Sequence, residues 1–276
     1  MSHALYPTAQ TVEDFTRNTA RVKSRIADAA VRAGRAPASV RLLPVSKTVP
    51  EERVRIAIAS GLRTLGENKV QEATRKYHNL ADLDVDWSII GHLQTNKARD
   101  VASYASEFQA LDSLRVAEAL DRRLQAAGRE LDVFVQVNTS AEPQKYGLAP
   151  DELPAFLRAL PAYSSLRVRG LMTLAVFSDD EARVRPCFAL LRELRDRTLE
   201  ATPELIGPGE LSMGMSGDYE LAIEEGATVV RVGQAIFGAR STPDMLYWPD
   251  PALHDSTRST TDTGSDSSPA AARHEK

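Results

Sequence analysis

The chain has 276 residues, 42% of them hydrophobic, enough for a substantial core in one large domain or two small ones. Lys and Arg number 34 against 38 Asp and Glu, a net charge of −4, and no long basic cluster marks a nucleic-acid or anionic-membrane surface. A lone cysteine, Cys187, rules out an intrachain disulfide and a cysteine-based zinc site and fits a cytoplasmic setting. The segment MSHALYPTAQ lacks a signal-peptide profile and no apolar run reaches membrane-spanning length, so neither secretion nor insertion is indicated.

In chain order, residues 1–10 read as an N-terminal arm. A helical pattern starts at Thr11, where TVED resembles a capping box, and ends near Gly34. One theme then repeats: a short apolar β-type run followed by an amphipathic helical segment. The strands are expected at 41–46, 62–65, 86–90, 107–111, 131–137, 167–172, 210–214 and 228–232. Strict alternation implies parallel strands, and eight units in about 230 residues fit a closed (β/α)8 TIM barrel of the α/β class with an extra N-terminal helix. A doubly wound open sheet is the alternative, but no G-x-G-x-x-G follows the first strand. The barrel is expected to span residues 11–248, and the Ser-, Thr- and Asp-rich stretch 249–276 reads as a disordered polar tail.

In such a barrel the chemistry sits at the C-terminal strand ends. The first strand, RLLPV, delivers Lys47, and burying an ammonium costs several kcal/mol unless it is paired, discharged or modified. The second runs into GENKVQE with Asn68, the third into GHLQTNK with His92, and the fifth ends at Gln136 and Asn138 with KYG soon after. MGMSGD places Gly214, Ser216 and Gly217 before a helical segment, and VGQAIFG supplies a second small-residue turn. Backbone N–H groups at such turns suit an anion, and the loops after strands seven and eight commonly hold phosphate in this fold. Strand eight neighbours strand one in a closed barrel, which puts Lys47 within about 5 to 10 Å of that seat. Alternation lets Lys47 and Arg231 both point into the mouth. A lysine with a partly neutral amine is a Schiff-base nucleophile, and a small phosphorylated aldehyde spans the gap.

Each of these residues also has a plainer role. A lysine after a strand is usually a solvated end, and a glycine there a tight turn. Asn68 suits a turn, and His92 suits a neutral histidine satisfied by backbone. Met172, Met213 and Met215 read most simply as barrel packing, and Cys187 as a small buried hydrophobe.

Taken together, PVSKT, LGENKVQE, IGHLQTNKAR, VNTSAEPQKYGL, GLMTL and LSMGMSGDYELAIEEGATVVRVGQAIFG resemble the pyridoxal 5′-phosphate homeostasis protein family, single-domain relatives of the alanine racemase barrel. The resemblance runs from about residue 10 to Arg240. It implies pyridoxal 5′-phosphate (PLP) held as a Schiff base on Lys47, with Asn68 beside the cofactor and His92 near its ring. It further implies phosphate binding by Ser216 and the Gly233 backbone, with Arg231 as partner of the pyridine nitrogen. Met213 of the same MGMS motif joins the implied cofactor-contacting set. Gln234 stands where relatives carry a small hydroxyl residue, which removes one side-chain hydrogen bond to phosphate but leaves the backbone contact.

An arginine partner disfavours a protonated pyridine nitrogen and so weakens the ring as an electron sink. The first expectation is therefore a non-catalytic PLP carrier serving vitamin B6 and amino-acid homeostasis, a cytoplasmic monomer exchanging PLP with apo enzymes or free amino acids. A PLP-dependent amino-acid racemase is the alternative. A cofactor-free Schiff-base aldolase acting on a phosphorylated sugar is a third.

Overall fold

The computed structural model describes residues 6–239. The first five residues of the expected arm, the boundary at residue 248 and the polar tail lie outside them.

Helix α1 spans Val12–Arg32 and starts as the capping box requires. The Thr11 Oγ1 accepts from Asp14 N at 3.2 Å, while the Asp14 carboxylate accepts from Thr11 N at 3.2 Å. Its apolar stripe of Phe15, Val22, Ile26, Ala29 and Ala30 is buried, and Gly34 turns the chain at a left-handed φ of 69°.

Eight strands follow: β1 (Arg41–Pro44), β2 (Thr64–Glu67), β3 (Asp86–Ile89), β4 (Glu107–Leu111), β5 (Leu131–Gln136), β6 (Leu166–Met172), β7 (Glu210–Ser212) and β8 (Val229–Val232). The helices between and after them are α2 (Glu51–Ala59), α3 (Val70–Asn79), α4 (Ala98–Tyr104), α5 (Leu114–Ala127), α6 (Leu153–Ala159), α7 (Glu181–Ala201), α8 (Tyr219–Glu224) and α9 (Gln234–Phe237). All strand pairs are parallel, in the order β1-β8-β7-β6-β5-β4-β3-β2. The ring closes through Val45, which bridges to Gly66, and through Ser46 N, which donates to Gly66 O at 3.0 Å. A closed barrel, rather than an open sheet, is therefore the fold. A side chain at Gly66 would press on Val45 Cγ2 at 3.3 Å and on Leu43 at 3.4 Å, so the closure point is tight.

Three strands differ by two residues from the sequence expectation. β1 and β7 end two residues early, because regular pairing gives way where the chain bends into the mouth loops. β2 starts two residues late, because Gly61, at φ 102°, still turns the chain after α2.

The register of β1 on β8 sets Leu43 beside Arg231 and Pro44 beside Val232. Side chains in register on parallel strands share a face, so Leu43 and Arg231 point the same way, into the barrel. The N-terminal segment and α1 cover the outside of the β8 end. Phe15 meets Phe237 edge-on at 5.4 Å, Asn18 donates to Ile236 O at 3.0 Å, and Ala239 N donates to Tyr6 O at 2.9 Å.

Candidate functional site

Lys47 leaves the sheet in a turn tied down on both sides. Val45 N donates to Val232 O at 2.9 Å, and Val49 N closes the turn onto Ser46 O at 3.0 Å. Lys47 itself is half-buried. The next residue, Thr48, sits at φ 66°, a conformation that a β-branched side chain rarely adopts. Its N–H donates to Glu72 Oε1 at 2.7 Å, which holds the strained backbone in place.

Behind this turn, between the sheet and α3, lies a fully buried lysine. Lys76 Nζ donates to Ser46 O at 2.8 Å, to Glu67 Oε1 at 2.7 Å and to Glu72 Oε1 at 2.8 Å. Ser46 Oγ adds a further bond to Glu67 Oε1 at 2.6 Å. Burial pushes the Glu67 carboxyl above the usual carboxylate range, and its Oε2 has no hydrogen-bond partner among the described residues.

The ends of β2 and β3 meet through Gly91. A side chain at that position would lie 2.1 Å from Asn68 O and 2.5 Å from Asn68 Oδ1, so glycine is required for the close approach. Asn68 is half-buried there. Among the described residues His92 makes no backbone hydrogen bond, unlike its plainer sequence reading; it stacks on the Tyr146 ring at 3.9 Å and 9°, with Nδ1 3.7 Å from Asp112 Oδ2, beyond hydrogen-bond range. Asp112 Oδ2 accepts from Gly147 N at 3.2 Å, and burial raises the Asp112 pKa.

On the other side of Lys47 the two glycine turns meet. Ser216 Oγ accepts from Gly233 N at 3.2 Å, which joins the loop after β7 to the N-terminus of α9. Asp218 Oδ1 accepts from Met215 N at 2.6 Å and fixes the first loop. Gly214 holds φ 91°, and a side chain there would strike Ala222 Cβ at 2.6 Å, whereas one at Gly217 would meet nothing within 4 Å. Gln234, the first residue of α9, is half-buried beside Gly233. Met213 is fully buried in the hydrophobic core, the packing role that the sequence suggests as the simpler one.

Arg231 is 3% exposed. Its Nη1 donates to Ser212 Oγ at 2.7 Å and its Nη2 to Thr173 O at 2.8 Å. Burial pushes its pKa down to about 10, against the attraction of Asp218 and Glu107, so it remains a cation at neutral pH.

The structure thus brings Lys47, Arg231, Ser216, Gly233 and Gln234 to adjoining ends of β1, β8 and β7, with Asn68 and His92 on the β2–β3 side. Sequence reasoning missed Lys76, Glu72, Tyr146 and the polar partners of Arg231. The signal nearest the last was a glutamine, Gln109, inside the otherwise apolar run FQAL, which accepts from the Ser212 hydroxyl that Arg231 contacts.

A barrel with a strand-one lysine, a strand-eight arginine and a paired glycine turn defines a protein of the alanine racemase barrel class. The family model described as the alanine racemase N-terminal domain matches residues 17–241. The chain belongs to that family and, within it, to the pyridoxal phosphate homeostasis proteins. The homeostasis protein of Pseudomonas aeruginosa is 46% identical over 226 residues, 82% of this chain and 96% of that one. That of Aquifex aeolicus is 41% identical over 220 residues, 80% and 96% of the two chains. The structure of PipY from Synechococcus elongatus with PLP bound is similar at a TM-score of 0.68 and 39% identity, covering 77% of this chain and all of that one. Alanine racemase from Bartonella henselae shares the fold alone, with a TM-score of 0.62 at 14% identity, covering 83% of this chain and 59% of that one.

Proposed function

We propose that this protein is a PLP carrier: it holds the cofactor on Lys47 and releases it to apo enzymes or free amino acids, as a cytoplasmic monomer without strong catalysis of its own. The observation that carries the reading is the pairing of β1 with β8, which sets the Lys47 turn beside Arg231 and the Ser216–Gly233 contact. The names of the relatives and the PLP in the PipY structure support it.

The residues present suit the group. A primary amine stands at a constrained strand end, and the Ser216 hydroxyl and the Gly233 N–H, bonded to each other at 3.2 Å, are placed so that a phosphate oxygen replacing that bond would accept from both. Bound PLP supplies an aldehyde that condenses reversibly with a primary amine, losing water. Lys47 gives that amine. Ser216 and the backbone at Gly233 would hold the phosphate, and Gln234 keeps the backbone contact at the second seat. Arg231, a cation that only donates, bonds to an unprotonated ring nitrogen and repels a proton from it. That choice disfavours carbanion chemistry and favours storage. Asn68, backed by Gly91, and His92, braced by Tyr146, border the mouth on the opposite side.

The test is proton exchange. Incubated with L-alanine in deuterated water, the PLP-loaded protein should release cofactor without exchanging the α-proton of alanine, as followed by NMR. Exchange that requires Lys47 and turns over many times per protein molecule would replace the carrier reading with a racemase.

A further inference from the structure

Five polar side chains lead inward from Arg231 to the floor of the barrel, where bulky branched apolar residues normally dominate. Arg231 Nη1 donates to Ser212 Oγ at 2.7 Å. Ser212 Oγ donates to Gln109 Oε1 at 2.6 Å. Gln109 Nε2 donates to Glu107 Oε1 at 2.6 Å, and Ser88 Oγ donates to the same oxygen at 2.7 Å. Arg41 Nη2 reaches the other oxygen, Glu107 Oε2, at 2.6 Å. Ser212, Gln109 and Ser88 are fully buried, and Glu107 is 9% exposed. Arg41 and Glu107 open β1 and β4 and so mark the floor; Arg231 and Ser212 stand toward the mouth.

The chain has one direction. A guanidinium only donates and a carboxylate only accepts, so each intervening proton is assigned. Ser212 spends its single proton on Gln109 and therefore turns a lone pair to Arg231. The Gln109 amide is oriented because its nitrogen must face Glu107. Bonds polarised in one sense along a buried chain strengthen one another, so the carboxylate at the floor supports the cation near the mouth without touching it.

We propose that Gln109, Ser212 and Glu107 are positioning residues for Arg231, fixing its guanidinium so that recognition of the ring nitrogen is set from the floor of the barrel. The proposal rests on the reading that PLP occupies the mouth with its ring nitrogen at Arg231.

The experiment compares the affinity of the full chain for PLP and for 1-deazapyridoxal phosphate, which carries C–H in place of the ring nitrogen. The unaltered protein should prefer PLP. Gln109→Met, close to the same volume, should reduce that preference about tenfold, the scale of one lost hydrogen bond to a charged group. Ser212→Ala should do the same, and the double variant no more than either, because both act along one chain. Additive losses, or a preference unchanged in Gln109→Met, overturn the proposal while leaving PLP binding standing. Equal affinity of the unaltered protein for both compounds also overturns it, because Arg231 then does not read the nitrogen. Absence of any borohydride-trapped adduct on the unaltered protein instead overturns the carrier reading beneath it. Should Gln109→Met fail to fold, Glu107→Gln, which keeps an acceptor but removes the charge, decides by the same ratio. In the protein without cofactor, the Arg231 Nε–H signal in 15N NMR should be sharp and slowly exchanging, and should broaden in either variant.

Discussion

Lys76 and Arg231 are both buried cations, 0% and 3% exposed, on opposite sides of the barrel wall. Lys76, under α3, contacts two carboxylates and a backbone carbonyl directly. Arg231, inside the barrel, contacts a hydroxyl and a carbonyl; its acidic counterparts, Asp218 and Glu107, act from a distance. The difference separates a structural charge from a working one. An ammonium saturated by carboxylates has nothing to offer a ligand, whereas a guanidinium held by neutral groups keeps donors and positive charge for one.

The largest effect should come from the saturated site. Lys76→Met leaves Glu67 and Glu72 facing each other without a cation, and unfolding in urea should show a loss of about 3 to 5 kcal/mol. A loss under about 1 kcal/mol would mean that the cluster relaxes or discharges and that the comparison fails.

Arg231→Met should cost less stability, about 1 to 2 kcal/mol, since it strands a hydroxyl and a carbonyl rather than bare carboxylates. PLP retention, measured by gel filtration and absorbance, should nevertheless fall sharply. Equal destabilisation by the two substitutions would erase the distinction.

Ser216→Ala should weaken PLP retention by about 1 to 2 kcal/mol, because the Gly233 backbone remains, and should barely change stability. Retention of PLP that matches retention of dephosphorylated pyridoxal would remove the phosphate role of this loop.

The smallest effect concerns pH. Burial raises the folded-state pKa of Glu67, so the folded chain holds that proton more tightly than the unfolded one. Its contribution is then fully present below the unfolded value near about 4 and is lost as pH rises through the raised one. The stability of the unaltered protein relative to Glu67→Gln should therefore decline over the pH range above that unfolded value. A relative stability that climbs over that window would show Glu67 to be ionised throughout by Lys76.

The barrel was legible because each strand is an apolar run closed by turn residues and each helix carries its own stripe. Lys47 was legible because a lysine ending a core strand needs a reason, and the glycine turns one and two strands away supplied one. Lys76 was not. In VQEATRKYHN it occupies a helix position where lysines are ordinarily solvated, and only the packing of α3 on the β1–β2 closure buries it. Gln109 was hidden for the opposite reason: a polar residue inside an apolar strand reveals its partner only when β4 and β7 face each other across the interior. The His92–Tyr146 stack joins loops 54 positions apart, a contact that no local pattern encodes.

Borohydride reduction of the PLP-loaded protein followed by peptide mass mapping tests the central claim most directly. The account predicts one dominant pyridoxyl adduct on Lys47, none on the saturated Lys76, and loss of the visible band in Lys47→Ala with the barrel still folded. A dominant adduct on any other lysine, or an undiminished band in Lys47→Ala, would contradict it.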